Sequence, residues 1–231
     1  MERTETVIQS DSNDRLIQTL GANLTTVRRL PSPGLRAFLW LAIVGSMAVA
    51  LAMVSDVNAM SSRLMAAPDM WLAALASMLT AVLAATAAFE LSLPDRKVTW
   101  ALLPLPTLLL WIGASGMGCL RSWSVAETSP MPPDQVGHCL IFILGLSLPL
   151  SLLLIVMLRR GFSLRPKLTA VIGGLACASA AATLLNFVHP YDAAATDLAV
   201  HGLAVTIVIL ANIPFGARLL LGEMNRSGFI G

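Results

Sequence analysis

Six apolar runs, each long enough to cross a bilayer as a helix, dominate this 231-residue sequence. A hydrocarbon core about 30 Å thick is crossed by about 20 helical residues, and helices satisfy their own backbone polar groups in lipid. The runs cover residues 37–55, 70–91, 98–120, 138–158, 168–188 and 198–220. Only 12% of the residues are charged, against about a quarter in soluble proteins. The sequence therefore predicts an all-α integral membrane protein built as a six-helix bundle.

The connections between these runs predict the orientation, because Lys and Arg are retained on the cytoplasmic side of a membrane. If the N-terminus is inside, only Arg63 and Arg121 of the 15 basic residues lie outside. The others are Arg3, Arg15, Arg28, Arg29, Arg36, Arg96, Lys97, Arg159, Arg160, Arg165, Lys167, Arg218 and Arg226. We expect a cytoplasmic tail over residues 1–36, a six-span bundle over 37–221 and a cytoplasmic C-terminal tail over 222–231.

Several function classes fit the composition poorly. A net charge of +2 is too small for a nucleic-acid-binding surface, so we expect no direct nucleic-acid partner. The spans contain almost no ionisable residue apart from Glu90 and His201, whereas transporters need such groups. We expect Glu90 to pair with Arg96 or with an arginine of the connection between the fourth and fifth runs, residues 159–167. The three cysteines form no C-x-x-C spacing, which gives no reason to expect a zinc site or another cofactor.

The N-terminal tail carries the pattern of an amphipathic helix. Its apolar stripe consists of Leu16, Ile17, Leu20, Leu24 and Val27. Asp14 suits the first turn, and Arg28 and Arg29 suit the C-terminal end, because they complement the helix dipole. Such a helix lies on lipid or docks into a groove of a partner protein. The polar positions are acidic or neutral, which favours a protein partner, although lipid docking and disorder remain as alternatives.

Several segments resemble the NrsF family of six-span bacterial anti-sigma factors. In the tail they are Asp14-Arg15-Leu16-Ile17-Gln18-Thr19-Leu20, Val27-Arg28-Arg29-Leu30-Pro31-Ser32-Pro33 and Leu35-Arg36-Ala37-Phe38-Leu39-Trp40-Leu41. Later segments are Gly137-His138-Cys139-Leu140, Leu158-Arg159-Arg160-Gly161 with Arg165-Pro166, and His201-Gly202. The resemblance covers nearly the whole chain.

The resemblance implies a regulator in the bacterial inner membrane rather than an enzyme. Its tail, through the apolar stripe together with Arg28 and Arg29, would bind a sigma factor of the extracytoplasmic-function (ECF) type. An envelope, oxidative or metal stress would then release the sigma factor for transcription. The implied partners are this sigma factor and the lipid bilayer, and no cofactor is implied.

The resemblance also implies a sensor of two periplasmic cysteines, one at the position of Cys139 and one in a His-Cys pair after the fifth span. Here His189 is followed by Pro190, so the second cysteine is absent. The predicted topology places Cys119 and Cys139 at the outer ends of neighbouring spans, where an oxidising periplasm permits a disulfide.

The predicted periplasmic ends of the spans allow further interpretations. The candidate sensing residues are Cys139, Cys119, His138, His189 and His201. Thiolate and imidazole ligands suit a soft metal, but no local spacing supports a metal site, and histidines that are simply hydrogen-bonded at the interface are the plainer interpretation. The alternative function is a membrane thiol-disulfide oxidoreductase that uses Cys119 and Cys139. The lack of a C-x-x-C motif speaks against this alternative.

Overall fold

A computed structural model of the protein describes residues 13–22, 30–66, 68–124, 133–161, 163–188 and 202–214. The chain divides into two units, residues 1–30 and 31–231. In the first unit, residues 13–22 form helix α1. The second contains α2 (Pro33–Val54), α3 (Val57–Ala66), α4 (Pro68–Leu91), a 3₁₀ helix η1 (Val98–Leu102), α5 (Leu105–Ser124), α6 (Pro133–Leu158), α7 (Pro166–Leu185) and α8 (Gly202–Pro214). All regular structure in these described ranges is helical, which confirms the all-α prediction.

Five helical segments are long and apolar enough to cross a membrane. They are α2, α4, the Val98–Met117 segment of η1 and α5, the Ile141–Leu158 part of α6, and α7. Each coincides with a predicted span to within a few residues. The predicted sixth span, residues 198–220, is described only over α8, which is 13 residues long. The count of six therefore stays a prediction.

The connection between the first two predicted spans, residues 56–69, interrupts the apolar pattern and would be expected to form a loop, but this expectation is wrong. Ten of these residues form α3. Its start is capped by Asp56, whose Oδ1 accepts a hydrogen bond from the backbone N–H of Ala59 at 3.0 Å. A side-chain acceptor at this position satisfies a backbone donor that the first turn leaves free, and this explains why a short polar segment becomes helical.

The core of the bundle is an antiparallel pair of helices, α4 and α7. Near one end of the pair, the hydroxyls of Ser77 and Thr183 lie 3.0 Å apart. Near the other end, Thr169 donates to the carbonyl of Leu91 at 3.4 Å. Most of α7 is buried and consists of small residues, which let helix backbones approach closely in lipid.

Helix α8 packs into the same bundle. The amide of Asn212 donates to the hydroxyl of Ser151 on α6 at 3.1 Å, and Ala204 and Val208 are buried. A Cβ atom on Gly174 of α7 would lie 3.1 Å from the Cα of Ile209. Because this neighbour is backbone and cannot rotate aside as a side chain can, even a methyl group at Gly174 would push against α8.

We expect Gly174→Ala to lower the free energy of unfolding by about 2 kcal/mol, because the new methyl group presses on the backbone of α8. Gly173→Ala is the matched control, since its Cβ would meet only side-chain atoms, the nearest being a methyl carbon of Leu154 at 3.0 Å, and that side chain can move aside. Thermal unfolding of the purified full-length protein in detergent measures both. Equal losses of stability would contradict the packing of α8 against α7.

Candidate functional site

The first candidate surface is the apolar stripe of α1. Leu16, Ile17 and Leu20 are 59%, 65% and 61% exposed. Fully burying an apolar side chain of this size contributes about 1.5–3 kcal/mol, so three exposed neighbours on a helix form a surface suited to a partner. The remaining predicted contact residues, Leu24, Val27, Arg28 and Arg29, lie outside the described residues.

The second candidate is one end of the bundle, here called the basic end. Helix α2 and helix α7 begin there, and α4 and α6 end there. It is defined by Arg36, Arg96, Lys97, Arg159, Arg160, Arg165 and Lys167. The sequence analysis assigned all seven to one side of the membrane, and the contacts between these helix ends bring them together. Which side of a membrane this end faces stays a prediction.

Arg36 joins three helices at the basic end. It lies in the first turn of α2 and is only 4% exposed. Its guanidinium donates to the backbone carbonyl of Met157, in the last turn of α6, and to the hydroxyl of Ser92 at 3.4 Å. It also lies 5.1 Å from the ring centroid of Phe89, within cation–π range. Arg36 thus supplies both a donor and a positive charge to the C-terminus of α6, where helix carbonyls lack intrahelical partners.

The C-terminus of α4 is capped by side chains from the same region. The hydroxyl of Ser92 donates to the carbonyl of Phe89 at 2.6 Å. The carbonyl of Leu91 accepts from the hydroxyls of Ser163 and Thr169, at 3.3 Å and 3.4 Å. A buried carbonyl without a partner is costly, so these contacts fix the end of α4 against the connection between α6 and α7.

Gly161 completes this contact. A Cβ at Gly161 would lie 2.7 Å from the carbonyl oxygen of Ser92 and 2.9 Å from its hydroxyl oxygen. Real Cβ atoms do not approach backbone so closely. The connection after α6 therefore reaches α4 only because residue 161 has no side chain.

Glu90 and Arg96 form an ion pair beside this cluster. The Nε atom of Arg96 lies 3.0 Å from Oε2 of Glu90, and the two side chains are 40% and 13% exposed. This confirms one of the two partners predicted for Glu90. The pair holds the short connection after α4 against the end of that helix.

Residues 20–221 match a protein family described as negative regulator of sigma F, NrsF. The match spans most of the chain. The protein is a member of the NrsF family. This confirms the resemblance found in the sequence, although residues 14–19 of the quoted tail segment precede the NrsF match. The family description is that of a regulator of a sigma factor, not of an enzyme. No curated protein and no solved structure matches the chain.

The residues expected to sense a signal fall mostly outside what the structure describes. Cys119 belongs to α5, and His138 and Cys139 belong to α6, but only their helical backbone is described. His189 and His201 lie outside the described residues. The proximity of Cys119 to Cys139 thus stays untested. Among side chains that the structure does describe, no group of His, Cys, Asp and Glu is arranged to hold a metal ion.

Cys177 is described fully. It is completely buried in α7 and forms no disulfide. Cys177 therefore serves as a small core residue. Membership of the NrsF family does not change that conclusion.

Sequence reasoning missed the residues that close the basic end. It treated Arg36 as one of many cytoplasmic charges and gave Ser92 and Gly161 no role. A tryptophan near the end of a span is typical of the membrane interface, whereas Trp40 is fully buried and its indole N–H donates to the carbonyl of Leu150 at 3.3 Å. The sequence does show Arg36 at the start of an apolar run. A solvated arginine that flanks a span occupies the same position, so this position does not indicate burial.

Proposed function

We propose that this NrsF-family protein is a membrane-bound anti-sigma factor. It holds an ECF-type sigma factor at the bacterial inner membrane, with both termini in the cytoplasm, and releases it when an envelope, oxidative or metal stress alters the bundle. The observation that carries the proposal is the match to a family of negative regulators of a sigma factor. The five apolar helices and the exposed stripe of α1 support the membrane location and the mode of binding.

The binding surface in this proposal is the tail. Leu16, Ile17 and Leu20 supply its described part, and Leu24, Val27, Arg28 and Arg29 extend it along the chain. A stripe of this size buries only a few side chains, and association must offset lost motional freedom. The resulting affinity is moderate, which suits a regulator that a conformational change switches off.

Signal reception is assigned in this proposal to the end of the bundle opposite the basic end, with Cys139 and Cys119 as the main candidates and His138, His189 and His201 beside them. Periplasmic thiols are open to oxidants and soft metals. Movement of the helices then reaches the tail through Arg36. Support comes from the contacts of Arg36, which links the start of α2 to the ends of α4 and α6.

We expect Leu20→Glu to weaken capture of the sigma factor at least about tenfold, because a charge would replace an apolar group in the buried interface. Gln18→Glu is the matched control, since it adds the same carboxylate on the opposite side of α1, where residue 18 is also exposed. Glu and Leu have similar helix propensities, so neither change unfolds α1. Full-length protein in lipid nanodiscs is titrated with ECF-type sigma factors from the same genome, and binding is measured by fluorescence anisotropy.

Two results would count against the proposal. No binding of any such sigma factor to the unaltered protein would contradict the anti-sigma function itself. Equal binding by the Leu20→Glu and Gln18→Glu proteins would show that the stripe of α1 is not the contact surface.

A further inference from the structure

The basic end holds far more positive than negative charge. Six described cations, Arg36, Arg96, Lys97, Arg160, Arg165 and Lys167, are gathered where the described carboxylates are Glu90 and Asp95. Glu90 already pairs with Arg96, and Asp95 is exposed to solvent. Among the described residues, neither forms an ion pair with Arg36. The cluster thus carries an excess of positive charge that this part of the chain does not balance.

The like charges are held close by the fold rather than merely near in sequence. The guanidinium of Arg36 donates to the carbonyl of Met157, three residues before Arg160, which places the two cations at the same helix end. Ser163 contacts the carbonyl of Leu91 at 3.3 Å, which ties the connection carrying Arg160 and Arg165 to the end of α4. Repulsion between cations held in this way favours a bound anion.

The position of these basic residues at the ends of the helices indicates which kind of anion binds. Arg96 and Lys97 follow α4 within six residues, Arg159 directly follows α6, and Lys167 is in the first turn of α7. The ends of apolar spans lie at the level of the lipid headgroups, where basic clusters between helices bind anionic headgroups. Arg160, Arg165 and Lys167 are exposed and therefore free to reach a headgroup.

We propose that the basic end is a binding site for an anionic phospholipid of the surrounding bilayer, whose headgroup phosphate is bound by Arg160 and Lys167 and neutralises the cluster around Arg36. The site stabilises the helix ends at this end of the bundle. The proposal depends on the membrane location of the bundle but not on the binding of a sigma factor.

The test compares lipids and variants in the full-length protein. The purified chain in neutral detergent is mixed with increasing phosphatidylglycerol or, at equal amounts, with zwitterionic phosphatidylcholine, and retained lipids are counted by native mass spectrometry. We expect phosphatidylglycerol to be retained preferentially and to raise the unfolding temperature. High salt should reduce the preference, because it screens exposed charges.

Arg160→Gln combined with Lys167→Gln should reduce the preference for phosphatidylglycerol roughly tenfold, as expected for the loss of two headgroup contacts. Arg63→Gln is the control, because residue 63 belongs to α3, away from the basic end. Tryptophan fluorescence of the variants without added lipid reports that the fold is retained.

Three outcomes would overturn the proposal. The first is equal retention of both lipids, and the second is an unchanged preference in the folded double variant. The third is the same rise in unfolding temperature with millimolar inorganic phosphate alone, which would show a site for free anions. A double variant that loses sigma factor binding while keeping its lipid preference would identify this surface as a protein-docking site instead. Failure of the tail experiment leaves the lipid measurement unaffected, so the two proposals fail separately.

Discussion

We expect Arg36→Ala to lower the free energy of unfolding by about 3 kcal/mol. The substitution removes charge-assisted hydrogen bonds to the Met157 carbonyl and the Ser92 hydroxyl, each worth about 1.5–3 kcal/mol at full strength. It also removes the cation–π contact with Phe89, worth about 0.5–2 kcal/mol. Among the described residues Arg36 pairs with no carboxylate, so its removal also relieves the cost of a buried charge, which partly offsets these losses. Thermal or denaturant unfolding in detergent measures the change.

The control for this prediction is Lys97→Ala, which removes a long cationic side chain that is exposed at the same end. Its effect should stay within about 0.5 kcal/mol, as for surface substitutions generally. Arg36→Lys keeps the charge but loses the planar arrangement of N–H donors. Its loss of stability should therefore lie between those of Arg36→Ala and Lys97→Ala. If Arg36→Ala were no more destabilising than Lys97→Ala, Arg36 would not join the three helices.

The same variants test whether Arg36 carries the signal to the tail. If it does, folded Arg36→Lys protein in nanodiscs should release bound sigma factor without any stress, while the Lys97→Ala protein retains it. Retention by both would leave Arg36 with a purely structural role.

Gly161→Val is expected to cost about 3 kcal/mol or more. Its Cβ would lie 2.7 Å from the backbone carbonyl oxygen of Ser92, and the two further methyl groups of valine add to the overlap. Inserting methyl groups into a packed contact typically costs about 1–3 kcal/mol and sometimes more. The connection after α6 would have to move away from α4, which would also break the hydrogen bond from Ser163 to Leu91.

Gly145→Val is the matched control, because a Cβ at residue 145 of α6 meets nothing within 4 Å. We expect it to change stability little. Both variants are compared by unfolding in the same detergent, with the amount of protein inserted in membranes as a second measurement. Similar stability of the two proteins would contradict the close approach of residue 161 to Ser92.

Much of the fold could be predicted because its signals are local. Runs of about 20 apolar residues have few alternatives to a membrane-crossing helix, and five of the predicted runs coincide with such helices. The pairing of Glu90 with Arg96 was within reach because the two residues are close in sequence. The periodic stripe predicted the helix of which residues 13–22 are described.

The contacts within the basic end could not be predicted, because they join residues far apart in the chain. Nothing local distinguishes Arg36 from any other arginine at the start of an apolar run. Its burial depends on Phe89, Ser92 and Met157, which belong to other helices. For the same reason, Trp40 reads as an interfacial anchor in the sequence but packs in the core. The capping of α3 by Asp56 was a local signal that the sequence analysis overlooked.

The sequence by itself determined that this chain is an all-helical protein with spans fit for a membrane, and it carried the family resemblance. Both are properties of short segments, since the cost of burying backbone polar groups in lipid is met within each helix. Only the tertiary structure decided which polar groups close the ends of those helices. The last carbonyls of α4 and α6 have no partners within their own helices, so Arg36, Ser163 and Thr169 from other parts of the chain must supply them.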